Sequence, residues 1–269
     1  MSAESAPDLD ALDPNDALAM LVWHVELGAD EAILDAPVDR FELPAASPQA
    51  KPADKPTEKA AQDVPSLLAS DPVAAARALA SEAADLDQLR EAMAGYDHCE
   101  LKKGARNLVF SDGRAGARVM VVGEAPGREE DRVGKPFVGA AGQLLDAMFR
   151  AIGLSRESPD LESALYITNI LPWRPPQNRD PSADEMAMMM PFVERHIALA
   201  KPEVLVVMGN IPAGALLGRR GITKLRGNWT ETQGLPCLPM FHPAYLLRQP
   251  MQKRAAWSDL QDLHAKLNS

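Results

Sequence analysis

Cysteine is scarce in this sequence, because its 269 residues contain only Cys99 and Cys237. Two thiols cannot form the disulfide framework of a small secreted domain, and by themselves they cannot complete a four-cysteine metal site. The sequence also lacks an apolar run long enough to cross a bilayer, and its first residues, MSAESAPDLDALDP, are acidic and contain no apolar signal region. These absences predict a soluble cytoplasmic protein that does not engage a membrane.

The usual phosphate-binding fingerprints are missing as well. GEAPG (residues 123–127) is not a dinucleotide-binding motif, and no glycine-rich loop is followed by Lys-Ser or Lys-Thr. A generic nucleotide-binding protein is therefore disfavoured.

Charge is divided unevenly along the chain. Residues 1–96 carry 19 acidic and 6 basic side chains (net −13), and residues 97–269 carry 19 acidic and 22 basic ones (net +3), which together give −10. The overall acidity therefore does not exclude a polyanionic ligand for the C-terminal part.

The N-terminal third is predicted to consist of three segments. Residues 1–42 form an acidic segment with an amphipathic helix over 14–36, and residues 43–70 have the Ala/Pro-rich composition of a disordered linker. Residues 71–95 are predicted to form one Ala-rich helix. The remaining residues, 96–269, form the main domain.

Strand and helix patterns alternate within that domain. Apolar runs predict four strands, at 117–123, 164–170, 203–209 and 238–241. Helical patterns cover 140–152, 182–200, 211–217 and 251–267, and a capping box at Ser182 and Glu185 opens the second. Pro191 predicts a kink or a late start in that helix. The alternation predicts an α/β fold, with a mostly parallel four-stranded sheet between helices.

Ligand sites in such sheets lie beyond the carboxyl ends of the strands. Glu124 follows the first predicted strand, Asn169 ends the second, and His242 follows the fourth. Taken singly, these could be a loop carboxylate, a turn cap and a structural histidine, and Phe137 could be a core residue. Their joint position at strand ends favours a site, without specifying its reaction.

A wider set of motifs resembles the family 4 uracil-DNA glycosylases. In the family's order, the chain contains GEAPG, EED, GKPFVGAAGQLLD, YITN, RPPQNRDP, PEVLVVMGN, LRG and HPAYLLR. These motifs lie between residues 123 and 248, and the resemblance is taken to cover residues 96–269. The resemblance implies an α/β/α sandwich that hydrolyses the N-glycosidic bond of uracil in DNA, in base excision repair within the cytoplasm or nucleoid of a bacterium.

The resemblance also implies roles for individual residues. Glu124 matches the carboxylate that positions or activates water, and His242 matches the imidazole that contacts uracil O2. Phe137 matches the ring that stacks on the flipped base, and Asn169 matches the amide that reads its edge. Such a pocket suits a base that has left the stack. Further substrate contacts are expected from the neighbours of the carboxylate, Gly123 and Ala125.

DNA contacts are predicted on two basic segments. In HPAYLLRQP, Leu246 and Leu247 can wedge into the duplex while Arg248 binds phosphate. The alternative is that the leucines start the final helix and point into the core; we expect this of one of the two, and we expect at least one to face DNA with Arg248. In RPPQNRDP we predict contacts from Arg174 and Arg179. That segment contains no histidine, which disfavours the covalent DNA bond formed by a related branch.

One departure from the family concerns its [4Fe-4S] cluster. Cys99 matches one of the four ligands, but the other three positions hold Tyr96, Trp173 and Met189. A cluster needs its thiolates, so we expect no cluster, no metal and no other cofactor.

Two functions from different classes remain open at this stage. The first is a monomeric uracil-DNA glycosylase, whose range of damaged bases is undetermined. The second is a catalytically weak DNA-binding repair scaffold. In either case the acidic N-terminal region is a candidate docking element for a protein partner.

Overall fold

A computed structural model describes residues 71–269. The predicted helix over 14–36 and the predicted linker over 43–70 lie outside these residues. Within the described part of the chain, no helix is both long enough and apolar enough to span a membrane.

Strands and helices alternate through most of the described residues. The strands are β1 (Asp112–Gly113), β2 (Val119–Gly123), β3 (Leu165–Asn169), β4 (Val204–Met208), β5 (Thr230–Thr232) and β6 (Leu235–Met240). The helices are α1 (Pro72–Glu82), α2 (Leu86–Gly95), α3 (Leu101–Gly104), α4 (Arg128–Val133), α5 (Ala140–Arg150), α6 (Ala183–Ala200), α7 (Asn210–Leu217), α8 (Ile222–Leu225), α9 (Pro243–Arg248) and α10 (Lys253–Leu267). Short 3-10 turns occur at Pro176–Asn178 and Pro250–Gln252.

The strands of residues 71–269 form one sheet in the order β1-β3-β2-β4-β6-β5. The four central strands are parallel, and β1 and β5 join the two edges in antiparallel orientation. The predicted number of four strands is therefore wrong, although the four predicted strands are the parallel centre. The edge strands have only two and three residues, too few to produce a recognisable alternation.

The two faces of the sheet bury separate apolar clusters. Val119 and Val121 of β2 face one cluster, and Met120 and Val122 face the other, because successive side chains of a strand point to opposite faces. The first cluster is completed by α5 and α10 (Leu145, Phe149, Leu260, Leu263). The second is completed by α1, α2 and α6 (Ala76, Leu89, Phe192). This arrangement confirms the predicted three-layer α/β/α sandwich.

The segment before the domain forms two helices where one was predicted. Helix α1 ends at Glu82, and α2 begins after Asp85, whose side chain accepts a hydrogen bond from Gln88 N. Arg195 of α6 donates to the carbonyl of Ala83, at the break between the helices. The Ala-rich composition favours helix throughout. At the break, however, the carbonyl of Ala83 accepts hydrogen bonds from Arg195 and not from a helical N–H group.

Helix α6 begins at Ala183, directly after its predicted capping box. The late start considered for Pro191 is wrong, because Pro191 lies buried within the continuous helix. The helix therefore runs without interruption from Ala183 to Ala200, directly after the RPPQNRDP segment.

Candidate active site

Three polar residues lie at the carboxyl ends of the parallel strands: Asn169 is the last residue of β3, Glu124 follows β2, and His242 comes two residues after β6. Gly123 of β2 lies opposite Asn169 of β3, and Leu171 N donates to the carbonyl of Glu124 at 3.0 Å. On the other side, Gly209 N donates to Met240 O at 3.0 Å, just before His242. The rim encloses a cavity of about 690 Å³. Among the residues that line it are Glu124, Phe137, Asn169, Asp180, His242 and Arg248.

Phe137 reaches the cavity from the loop between α4 and α5. Its backbone has φ 54°, in the left-handed region that large side chains seldom adopt. Its ring is 6% exposed and lies against the imidazole of His242, with ring centroids 5.4 Å apart and an interplanar angle of 28°. The ring therefore forms an apolar wall of the cavity, next to an imidazole.

Gly123 has no side chain, and this leaves room for two side chains of the cavity, those of Phe137 and Asn169. A Cβ atom at this position would be 2.6 Å from the Phe137 ring and within van der Waals overlap of Asn169 Oδ1. The absence of a side chain at Gly123 allows the ring and the amide to approach each other. Ala125, the other predicted neighbour of Glu124, lines the cavity.

The Glu124 carboxyl group is half-buried at the end of β2. Burial raises its pKa above the usual value, and the negative charge of Asp180 raises it further. Asp180 belongs to the RPPQNRDP segment, and no pattern in the sequence identified it as a neighbour of Glu124. Its proximity to Glu124 arises because two loops meet over the cavity.

The His242 ring is oriented by a backbone hydrogen bond. Its Nδ1 accepts from Ala244 N at 3.1 Å, so the single proton of the neutral ring must be on Nε2. Burial lowers the pKa of His242 to about 4, and the positive charge of Arg248 acts in the same direction. At neutral pH the ring is therefore an uncharged donor through Nε2.

The two leucines predicted to contact DNA have different environments. Leu246 is 1% exposed and packs in the core, so its predicted place on a DNA-facing surface is wrong. Leu247 is 44% exposed on the outer side of α9, and Arg248 lines the cavity. Helical geometry separates the two neighbours, because successive residues point about 100° apart.

The two predicted arginines of RPPQNRDP are held by local contacts. Arg179 lines the cavity and makes a bidentate ion pair with Glu185, at 2.9 and 2.6 Å. Arg174 donates to Asn178 Oδ1 at 2.8 Å and does not line the cavity. Both side chains therefore brace the segment.

The four positions that match the family's cluster ligands all lie in the apolar core. Tyr96, Cys99, Trp173 and Met189 are each at most 3% exposed and belong to one hydrophobic cluster. The Tyr96 hydroxyl donates to Pro72 O at 2.8 Å, and burial raises the pKa of the Cys99 thiol. Four ligand positions that hold one thiol, two aromatic rings and a thioether do not fit an iron–sulfur cluster, which needs its thiolates. No group of three potential metal ligands occurs in residues 71–269.

Comparison with known proteins gives a consistent result. The model of the uracil DNA glycosylase superfamily matches residues 110–261. A type-4 uracil-DNA glycosylase of Sulfurisphaera tokodaii is 34% identical over 188 residues, which are 66% of this chain and 83% of that protein. Type-4 enzymes of Pyrobaculum aerophilum (37% identical; 65% of this chain, 91% of that protein) and Thermotoga maritima (39% identical; 56% and 77%) are similar.

Proposed function

This chain belongs to the uracil-DNA glycosylase superfamily, and we propose that it hydrolyses the N-glycosidic bond of uracil in DNA through the residues of this cavity, leaving an abasic site. The observation that carries the proposal is the convergence of a carboxylate, an aromatic ring, an amide and a neutral imidazole in one cavity. Its volume of about 690 Å³ is in the range of small-molecule sites. A base inside a duplex cannot reach such a cavity, so the base must first leave the stack.

Phe137 and Asn169 are proposed to hold the base. The Phe137 ring supplies an apolar face that replaces the stacking lost when the base leaves the duplex, worth about 1–3 kcal/mol per base. The Asn169 amide can donate and accept at once, as the O4 and N3–H edge of uracil requires. Cytosine presents an amino group in place of O4, and this amide orientation would leave that group unpaired.

His242 is proposed to stabilise the departing base. When the glycosidic bond breaks, negative charge develops on the uracil anion, including O2. A neutral imidazole with its proton on Nε2 can donate a hydrogen bond to that oxygen. Because Ala244 N occupies Nδ1, the ring is oriented before the reaction starts. A preorganised donor aimed at developing charge acts in the manner of an oxyanion hole.

Glu124 is proposed to act on the sugar side. The bond breaks through a transition state with positive charge on the sugar, which a nearby carboxylate stabilises. The same carboxylate can orient the water that attacks the anomeric carbon. Both roles need the ionised form, so the raised pKa of Glu124 sets a lower pH limit for activity.

That limit should move when the neighbouring charge is removed. The negative charge of Asp180 raises the pKa of Glu124, so Asp180→Asn should lower that pKa. We expect the acidic limb of the rate profile to move to lower pH, measured as single-turnover excision between about pH 4 and 8. Asp184→Asn removes an exposed carboxylate that does not line the cavity, and it should leave the limb in place. If the acidic limb of the Asp180→Asn profile did not move, the charge of Asp180 would not control the pKa of Glu124.

We further propose that the enzyme works without an iron–sulfur cluster. The whole chain has two cysteines, and only Cys99 lies at a ligand position of the family. Tyr96, Trp173 and Met189 fill the remaining positions with buried side chains that contribute to the core. On this proposal, apolar packing takes over the structural role of the cluster.

One experiment tests both parts of the proposal. Purified protein is incubated with a chelator and an oligonucleotide that contains one deoxyuridine, and abasic sites are detected by alkaline cleavage. We expect cleavage with the natural protein, little with Glu124→Ala, and far less than one iron per chain by metal analysis. Absence of cleavage on both single-stranded and duplex substrates would contradict the activity. A brown protein with stoichiometric iron would contradict the cluster-free site.

Leu247 is proposed to enter the duplex when the base leaves it. The structure of α9 suggests a matched pair of variants, because Leu247 is exposed and Leu246 is buried. Leu247→Ala should slow excision from duplex more than from single-stranded DNA, since only a duplex must be wedged apart. Leu246→Ala should cost about 2–5 kcal/mol of unfolding free energy and affect both substrates alike. Equal losses on both substrates with Leu247→Ala, at unchanged melting temperature, would exclude the wedge.

A further inference from the structure

The loop that carries Phe137 has an unfavourable backbone conformation. Phe137 has φ 54°, in the left-handed region, where a side chain comes too close to the following carbonyl oxygen. Such a conformation persists only where surrounding contacts determine it. Two charged side chains outside the proposed catalytic set, Arg156 and Glu130, make those contacts.

Arg156 holds the loop through its carbonyl groups. Its Nη1 donates to Pro136 O at 2.8 Å, and its Nη2 donates to Phe137 O at 2.9 Å. The guanidinium is itself anchored by Asp112 of β1 (3.1 Å) and Asp146 of α5 (2.8 Å). Its side chain is 9% exposed. The planar fork therefore connects the Phe137 loop to a sheet edge and to a helix.

Glu130 holds the same loop through its amide groups. One carboxylate oxygen accepts from Val138 N at 3.0 Å and from Gly139 N at 2.9 Å. The other accepts from Gly127 N at 3.1 Å, in the turn that follows Glu124. A single carboxylate thus joins the loop that carries the proposed catalytic carboxylate to the loop that carries the stacking ring.

Gly142 of α5 completes the support. A Cβ atom at this position would overlap the carbonyl oxygen of Phe137, so the helix approaches the loop closely only because no side chain is there. The same carbonyl receives the Arg156 hydrogen bond. The backbone of Phe137 is therefore held by Arg156 and α5 at its carbonyl and, one residue on, by Glu130.

We infer that Arg156 and Glu130 are positioning residues that clamp Phe137 in its left-handed conformation and so orient its ring toward the flipped base. The inference rests on the proposed function, because it assigns the ring to base stacking. Glu130 lines the cavity and Arg156 does not, but both act in this role through the backbone of the Phe137 loop and not through contact with the substrate. Their effect on catalysis should therefore depend on the presence of the Phe137 ring.

The principal test compares two arginines that have the same kinds of hydrogen-bond partner, although Arg118 is more exposed than Arg156. Arg118 also binds two carboxylates and a carbonyl (Glu162, Glu203 and Leu267 O), but these groups do not line the cavity. Arg156→Lys keeps the charge and loses the planar fork of donors. We expect the inhibition constant for free uracil and the KM for the DNA substrate each to rise about 10-fold. Arg118→Lys should leave both constants unchanged, and the melting temperature of each variant shows how much of its effect is loss of stability.

A double-mutant cycle separates positioning from general destabilisation. In a Phe137→Ala background the clamp has no ring to orient, so Arg156→Lys should cause little further loss of substrate binding. Glu130→Gln should behave in the same way, because its amide would present a donor to one of the three N–H groups. Glu129→Gln is its control, since Glu129 pairs with Arg132 on the same helix. Additive losses in the cycle, or equal losses with Arg118→Lys, would overturn the inference.

A measurement that does not depend on activity keeps the two proposals distinguishable. Amide hydrogen exchange should accelerate in Glu130→Gln at one or more of the three N–H groups that Glu130 accepts from, those of Gly127, Val138 and Gly139. It should accelerate at Val138 and Gly139 in Arg156→Lys, and not in Arg118→Lys. Unchanged exchange would overturn the clamp even in an active enzyme. Accelerated exchange in a protein that does not excise uracil would support the clamp as a structural device and contradict the proposed function alone.

Discussion

Replacement of His242 by serine is expected to lower the single-turnover rate of uracil excision by about 10²–10³-fold, the usual cost of removing one preorganised donor. Serine is preferable to alanine because the His242 ring also caps α9 through Ala244 N. A serine hydroxyl can accept that backbone hydrogen bond, so the helix cap is retained while the Nε2 donor is lost. The rate then reports the chemistry and the melting temperature reports the fold.

The charge state of His242 gives this result a second, independent check. Since burial lowers the pKa of His242 to about 4, the ring stays neutral as the pH rises through 5 to 8. Titration of His242 should therefore cause no inflection in the rate profile between about pH 5 and 8, and the profile of His242→Ser should have the same shape. His264→Ala, which removes an exposed histidine of α10, should leave rate and profile unchanged. A His242→Ser rate within a few-fold of the natural enzyme would remove His242 from the proposed mechanism.

Gly123→Ala is expected to reduce excision by about 10²-fold or more, although it adds only one methyl group. That group would lie 2.6 Å from the Phe137 ring and overlap Asn169 Oδ1, so both proposed base contacts must move. A displacement of about 1 Å at reacting groups is enough for a loss of this size. We expect the single-turnover rate to fall and the inhibition constant for free uracil to rise. The melting temperature should change less.

Gly104→Ala provides the matched control for this substitution. A Cβ atom at Gly104 would meet no heavy atom within 4 Å, so the added methyl group should change neither rate nor binding. Natural activity in Gly123→Ala would show that the ring and the amide do not need their present separation. That outcome would contradict the proposed base pocket and leave the fold unaffected.

The sequence by itself determined the centre of this fold. Strands buried on both faces appear as continuous apolar runs, so β2, β3, β4 and β6 could be predicted without the structure. In a parallel sheet the carboxyl ends of the strands lie at one edge. For this reason Glu124, Asn169 and His242 could be predicted as candidate site residues from the sequence. The absence of three thiols was also readable, because the sequence states the side chain at each ligand position directly and a cluster cannot be held without its thiolates.

Other features were decided only by tertiary structure. The edge strands β1 and β5 exist because a neighbouring strand offers backbone hydrogen bonds, and two or three residues carry no pattern of their own. The burial of Leu246 and the exposure of Leu247 depend on how α9 docks, which one short apolar pair does not specify.

The setting of the proposed active site was likewise decided by contacts between distant residues. The influence of Asp180 on Glu124 joins residues 56 positions apart in the chain, and the hydrogen bonds of Arg156 to Phe137 join residues 19 positions apart. Local sequence patterns report which face of an element is apolar, because that information repeats every two or 3.6 residues. Electrostatic and hydrogen-bonding partners have no such period, so only the folded chain determines which groups meet.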